Sequence, residues 1–399
     1  MRTPNYRYRA TIYASYFGYI TQAIVNNLAP LLFVVFQSTF SIPLEKITFL
    51  ITLNFCIQLV VDLVSAKFVD RIGYRICIVA AHILAAAGLI GLAAFPAMFR
   101  DPYHGILAAI FLYAVGGGLI EVLISPIVEA CPTDNKASVM SLLHSFYCWG
   151  TVGVIALSTG FLALFGTAHW RWLTCLWAVV PIVNGIVFTR VPLGTLTAEG
   201  EGYSIRKLFS MKLFWLFAIL MVAAGASEQA MSQWASAFAE KGLGVSKALG
   251  DLAGPCLFSV LMGLTRVFYA KFGEKIDLTA AMIGSSLLCI GAYLLAALAP
   301  WPLLALAGCG LCGLSVGILW PGIFSVASAR IPKGGTAMFA LLALAGDLGC
   351  SGGPTAVGLI AGAFGDRLQA GLLFAPVFPL ALIVCSLLCR KVKSPAEET

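Results

Sequence analysis

The chain has 399 residues, is 60% hydrophobic and only 11% charged, and has a mean hydropathy of +0.93. That is far more apolar surface than a soluble fold of this length can hide, so lipid is its natural solvent. The net charge of +7 sits largely at the ends of apolar stretches, where it signals topology and anionic-lipid contact and not nucleic-acid binding.

Twelve apolar stretches of about 20 to 28 residues follow one another, long enough to cross ~30 Å of hydrocarbon at ~1.5 Å per residue. They fall at about 10–37, 46–66, 76–98, 105–129, 138–165, 170–189, 213–238, 249–270, 278–299, 302–328, 335–363 and 368–389. An even number places both termini on one side. Eighteen Lys and Arg flank the N-terminal side of these spans and six the other, Arg266 being inside span eight, so the positive-inside rule makes both termini cytoplasmic. The first span is too long for a signal peptide and lacks a small-residue cleavage site. The expected location is the plasma or inner membrane. Eleven of the 12 cysteines fall inside spans, the exception being Cys131, which argues against a disulfide scaffold; Cys309 and Cys312 form a CxxC read as small packing residues.

The one long polar stretch, about 190–212, falls between spans six and seven. It predicts a six-helix half over 1–194, a cytoplasmic linker over 195–212 and a second half over 213–399. Sliding the second half back by 200 residues puts Gly273 on Gly73 and Lys271 on Arg71. Spans four and ten share another spacing: Gly118-Leu119 with Pro126 matches Gly313-Leu314 with Pro321. Such echoes are expected of a duplicated, pseudo-twofold transporter.

A charge at mid-membrane costs ~2.5–3.5 kcal/mol, so each one needs a partner, a water-filled cavity or a function. Span one supplies Gln22, Asn26 and Asn27, and span two Gln58 and Asp62. Glu121 lies near the middle of span four, after three consecutive glycines. His144 and Tyr147 share one face of span five. Glu228 and Gln233 belong to a polar stripe in span seven that Trp234 closes, and Asp347 is central in span eleven. Low dielectric disfavours a charged carboxylate, which makes Glu121 and Glu228 candidate proton carriers. His144 stays open between proton relay, solute hydrogen bond and packing, and Arg266 and Asp62 between structural pairing and function. Trp149, Trp234 and Trp320 suit stacking on a sugar or aromatic face, or simple helix and lipid packing. There is no phosphate loop, HExxH or GxSxG to suggest an enzyme.

The loop after span two, AKFVDRIGYR, resembles the signature of the major facilitator superfamily, Gly-x3-Asp-Arg-x-Gly-basic-basic. Asp70, Arg71, Gly73 and Arg75 match, with Ala66 in place of the leading glycine and Tyr74 in place of the first basic residue. GxLIEVLxSP in span four, GxxExxxxxW in span seven, LLHSFYCWG in span five and GDLGxxxGP in span eleven are similar to the fucose and glucose permease-like sugar:cation symporters. The resemblance implies an all-α integral membrane fold of twelve transmembrane helices in two pseudo-symmetric halves, with Asp70, Arg71 and Arg75 as a cytoplasmic gate. It also implies co-transport of H+ (or Na+) at Glu121, with no other cofactor and no metal. The fucose branch has a further acid late in span one, where this chain has only Asn26, Asn27 and Pro30; Glu228 or Asp347 is the candidate substitute for ion coupling.

The resulting expectation is a monomeric secondary active transporter of a small solute, a sugar first, working by alternating access. Asn26, Asn27, Gln58, Glu121, His144, Tyr147, Glu228, Gln233 and Asp347 would hold the solute over an aromatic floor of Trp149, Trp234 or Trp320. The rivals are a proton-coupled exporter of drugs or metabolites and a non-transporting nutrient sensor. Span five has glycines but no proline in GTVGVIALSTG, which favours import over export, and the short tail speaks against a sensor.

Overall fold

The computed structural model describes residues 6–132, 136–193, 203–272, 276–331 and 333–392. Within them the chain is helical. Six long helices form the first part: α1 (Tyr6–Phe40), α2 (Leu44–Ile72), α3 (Tyr74–Met98), α4 (Pro102–Glu129), α5 (Lys136–Phe165) and α6 (Trp170–Arg190). Six more follow: α7 (Lys212–Gly242), α8 (Lys247–Tyr269), α9 (Leu278–Leu298), α10 (Pro302–Arg330), α11 (Gly335–Ala363) and α12 (Leu368–Lys391). Eleven of the twelve are long and apolar enough to cross a membrane. The other, α11, has ample length with 29 residues; Asp347, Ser351 and a series of glycines dilute its apolarity.

The chain divides into two compact units, Met1–Thr197 and Ala198–Thr399. Of the expected linker 195–212, residues 195–202 lie outside those described. The remainder holds a short helix, Ile205–Phe209, N-capped by Ser204.

In the first unit, α3 packs against α4 and α6, α1 against α4 and α5, and α2 against α4. The glycine triplet of α4 explains how one helix serves three neighbours. Successive residues point ~100° apart, so each glycine meets a different partner. A Cβ at Gly116 would lie 2.5 Å from the Ala81 carbonyl of α3, one at Gly117 2.8 Å from Val25 of α1, and one at Gly118 3.1 Å from the Gln58 Cα of α2. Glu121 follows on the same faces as Gly117 and Gly118, which turns it toward α1 and α2. Between α2 and α3, Gly73 alone carries the turn with φ +97°, a backbone shape that a side chain would strain. This is the physical reason for a glycine at that point of the signature.

In the second unit, α7 packs on α11 and α12, α10 on α8 and α9, and α9 on α12. The α7–α11 contact is nearly backbone to backbone: a Cβ at Gly225 would meet the Gly346 carbonyl at 2.2 Å, and one at Gly349 the Val222 carbonyl. The spacing shared by spans four and ten has a structural counterpart. Gly118 brings α4 onto α2, and Gly313 brings α10 onto the Phe258 backbone of α8. Gly273, on the other echo, lies outside the described residues.

The six helices of the first unit run unbroken through Pro30, Pro96, Pro126 and Pro181, whereas four of those in the second are interrupted where the sequence predicts continuous spans. α7 loosens at Gln233–Trp234 and again in a π-turn at Phe238–Gly242; α8 contains a π-turn at Leu252–Cys256; α10 breaks before Leu319 and α12 before Val377. Pro255, Pro321 and Pro379 each remove the N–H that would close the preceding turn. No proline lies at the α7 break, which falls at the end of its polar stripe.

Candidate functional site

In the first unit the polar residues of α1, α2 and α4 join in one buried network. The Gln22 amide donates to Glu121 Oε2 at 2.8 Å and to Gln58 Oε1 at 2.8 Å. Gln58 Nε2 donates to Asn26 Oδ1 at 2.8 Å, and Asn54 Nδ2 to the same oxygen at 3.2 Å. Gln22, Asn26, Asn54 and Gln58 are all buried, and Glu121 half-buried. The spacing on α2 places Asn54 and Gln58 one turn apart, and Gln22 and Asn26 stand likewise on α1, so two amide ladders face each other. Gly117 leaves room for this: a Cβ there would sit 2.9 Å from Gln22 Oε1.

Asn27 turns the other way, donating to Thr151 Oγ1 of α5 at 3.2 Å, and Thr151 in turn donates to the Tyr147 carbonyl. Tyr147 is half-buried, His144 is exposed, and Trp149 is 41% exposed. His144 lies 5.3 Å, ring to ring, from Tyr19, whose hydroxyl bonds Ser125 at 3.0 Å, one turn beyond Glu121. Of the expected gate, the side chains of Asp70 and Arg71 lie outside the described residues. Arg75 donates to the Phe188 and Val191 carbonyls at 2.8 and 2.9 Å, capping the C-terminal end of α6, where unpaired carbonyls and the helix dipole attract a cation. Arg330 of α10 caps the end of α12 in the same manner through the Cys389 and Val392 carbonyls.

In the second unit Glu228 forms an ion pair with Arg266 of α8 at 3.2 Å. The stripe on α7 continues as Gln229 Nε2 to Glu228 Oε1, 3.3 Å, and Gln233 Nε2 to Gln229 Oε1, 3.1 Å. Trp234 is fully buried, with its indole N–H on the Pro354 carbonyl of α11 at 2.8 Å. Trp320 packs against α11, where a Cβ on Gly346 would meet the outer edge of its ring, and Asp347, the next residue, is half-buried. Glu228, Gln229 and Gln233 are thus brought together, while Trp234 serves the α7–α11 contact.

Several partners were not assigned a binding role by sequence reasoning. Gln22 was noted only as polar, and Asn54 was not singled out, although its spacing of four from Gln58 was visible. Arg266, left open between pairing and function, pairs with Glu228. Lys247, half-buried, and Asp251, buried, four residues apart, form a pair at 3.0 Å, and Ser236 donates to the Asp251 carboxylate. His82 of α3 accepts from Asn184 of α6 at 2.8 Å and bonds the Ile78 carbonyl, pinning two helices with a neutral imidazole. All 12 cysteines are free thiols. Outside the spans, burial pushes the Cys131 thiol up to about 11, which leaves it protonated and unreactive at neutral pH. Among the described residues no cluster of His, Cys, Asp and Glu is arranged to hold a metal ion.

The backbone resembles several solved transporters. A D-xylose-proton symporter matches with a TM-score of 0.76 at 14% identity, over 98% of each chain. The E. coli fucose:proton symporter FucP matches at 0.66 and 14% identity, over 96% of this chain and 99% of that one. A bacterial homologue of the human lysosomal transporter Spinster, inward-facing and unoccupied, matches at 0.79 and 14%, over 98% of each. At such identities the likeness establishes the fold. In sequence, the membrane protein MosC of Rhizobium meliloti is 27% identical over 270 residues, 67% of this chain and 64% of MosC, so the match spans under two thirds of that relative. The model of the Major Facilitator Superfamily matches residues 15–354. With twelve long helices of that fold and a family match over most of its length, the chain belongs to the Major Facilitator Superfamily.

Proposed function

We propose that the protein is a secondary active importer of a small solute, a sugar, driven by a proton gradient and working by alternating access. The observation that carries this reading is the buried amide and carboxylate network of Gln22, Asn26, Asn54, Gln58 and Glu121. Amides are suited to hydroxyl-rich solutes because each offers both a donor and an acceptor, and a carboxylate held among them is a place to take up one proton. Structural neighbours described as D-xylose-proton and fucose:proton symporters support the same class. In the second unit Gln233, Trp320 and Asp347 are the proposed solute contacts. Glu228, already paired with a cation, is the weaker candidate for proton carriage. Asp70, Arg71 and Arg75 are the proposed cytoplasmic gate, with both termini on the cytoplasmic side of the cell membrane.

The test is uptake of a panel of monosaccharides into proteoliposomes under an inward proton gradient, a sodium gradient, or neither. Accumulation under the proton gradient that Glu121→Gln abolishes, while solute exchange persists, is the expected result. Accumulation driven by sodium alone changes the ion. No sugar uptake by folded protein under either gradient overturns the reading and points to export or to another solute.

A further inference from the structure

We propose that the amides of Gln22, Gln58, Asn26 and Asn54 form a polarity relay, in which protonation of Glu121 converts the buried acceptor positions of Gln22 and Asn54 into donors. This rests on the proton-coupled reading above and extends it, from where the proton is taken up to how a solute detects it.

The hydrogen bonds fix the direction of each amide in turn. An ionised carboxylate only accepts, so Gln22 must present its NH2 to Glu121, and that NH2 also reaches Gln58 Oε1. Gln58, with its oxygen engaged, presents its NH2 to Asn26 Oδ1, and the same oxygen takes the NH2 of Asn54. The chain of choices leaves one oxygen over at each end. Among the described residues Gln22 Oε1 and Asn54 Oδ1 are buried with no hydrogen-bond partner, on residues only 2% and 6% exposed. Leaving a buried acceptor unsatisfied is costly, and each orphan marks a position where a donor fits.

When one proton from solution joins Glu121, the carboxyl becomes a donor. Gln22 then turns its terminal amide by half a rotation to present oxygen, and Gln58, Asn26 and Asn54 follow. No covalent bond changes apart from the new O–H. Every hydrogen bond in the series is retained with donor and acceptor exchanged, and the two orphan positions now hold NH2 groups. The proton-loaded protein therefore offers donors to the lone pairs of a solute hydroxyl or ring oxygen, and the proton-free protein offers acceptors. That change gives the solute a different affinity for the two protonation states, which coupling requires.

Four helices pack on α4, namely α1, α2, α3 and α5. The titratable side chains they carry along this stretch are Tyr16 and Tyr19 on α1, Cys56 and Asp62 on α2, Cys77 and His82 on α3, and His144, Tyr147 and Cys148 on α5. His82 is engaged with Ile78 and Asn184, so Asp62 and His144 are the groups to control for.

The experiment is infrared difference spectroscopy of the purified full chain without solute, stepped from about pH 8 to about pH 5, with asparagine carrying a 13C side-chain carbonyl. Wild type is expected to gain a protonated-carboxyl band, absent in Glu121→Gln, together with a shift of the labelled Asn carbonyl. Gln58→Leu should keep the carboxyl band and lose the Asn shift, and Gln22→Met, which cuts the first link, serves if Gln58→Leu does not fold. Asp62→Asn and His144→Gln should keep both signals. An Asn shift that survives either cut, or a Glu121 carboxyl band in wild type with no Asn shift, overturns the relay and leaves the proton site standing. No Glu121 band at all overturns both.

Discussion

Replacing Arg266 with methionine removes the cation facing Glu228 while keeping an apolar stem of similar length. The pair is 3.2 Å apart, with side chains 20% and 10% exposed, so neither charge is well solvated. At an effective dielectric of ~20 the attraction at that separation is about 5 kcal/mol; desolvation of both groups offsets much of it. What remains when one partner alone is removed is an uncompensated buried charge, costing ~3–5 kcal/mol. Arg266→Met should therefore destabilise the protein by about 3 kcal/mol. The double variant Arg266→Met with Glu228→Gln has no orphaned charge and should recover more than half of that. Denaturant unfolding of the purified protein in mixed micelles, measured for wild type, both single variants and the double, closes the cycle. A single-variant cost under ~1 kcal/mol, or a double variant that equals the sum of the singles, would refute the view that this pair is energetically coupled.

Three other outcomes are expected. Gly349→Ala places a methyl 1.9 Å from the Val222 carbonyl, so α7 and α11 must part; it should cost ~1–3 kcal/mol or more, whereas Gly352→Ala, with nothing within 4 Å, should stay within ~0.5 kcal/mol by the same unfolding assay. Asn184→Leu leaves the buried His82 Nε2 without its donor and should cost ~1–3 kcal/mol; an unchanged unfolding midpoint contradicts the pin between α3 and α6. In a Cys56→Ser, Cys175→Ser background, a cysteine at Asp101 should react with an impermeant maleimide from outside the cell and one at Lys207 should not, Cys131 being buried and protonated; labelling of both from one side would undo the predicted orientation.

Much of this protein is legible along the chain because lipid imposes a one-dimensional rule. Every spanning segment must satisfy its own backbone hydrogen bonds and show apolar side chains, so composition, span lengths and the placement of Lys and Arg already describe an all-α membrane protein of twelve helices. Gly73 was readable too, since a turn with φ +97° admits few other residues. The cost of a charge in hydrocarbon was enough to draw attention to Glu121, Glu228 and Asp347. It carried no information on what they touch. Glu121 meets Gln22, 99 residues away in sequence, because Gly116, Gly117 and Gly118 let α4 approach three helices at once. Glu228 meets Arg266, 38 residues on, through the packing of α7 against α8. Whether an asparagine such as Asn54 belongs to a network or merely faces lipid depends on the rotation of its helix against its neighbours, and a helix of low amphipathicity shows no face in its sequence. The breaks in α7, α8, α10 and α12 were likewise not readable along the chain: Pro126 and Pro321 occupy corresponding places in α4 and α10, yet only α10 is interrupted, so a missing N–H by itself does not decide whether a turn opens.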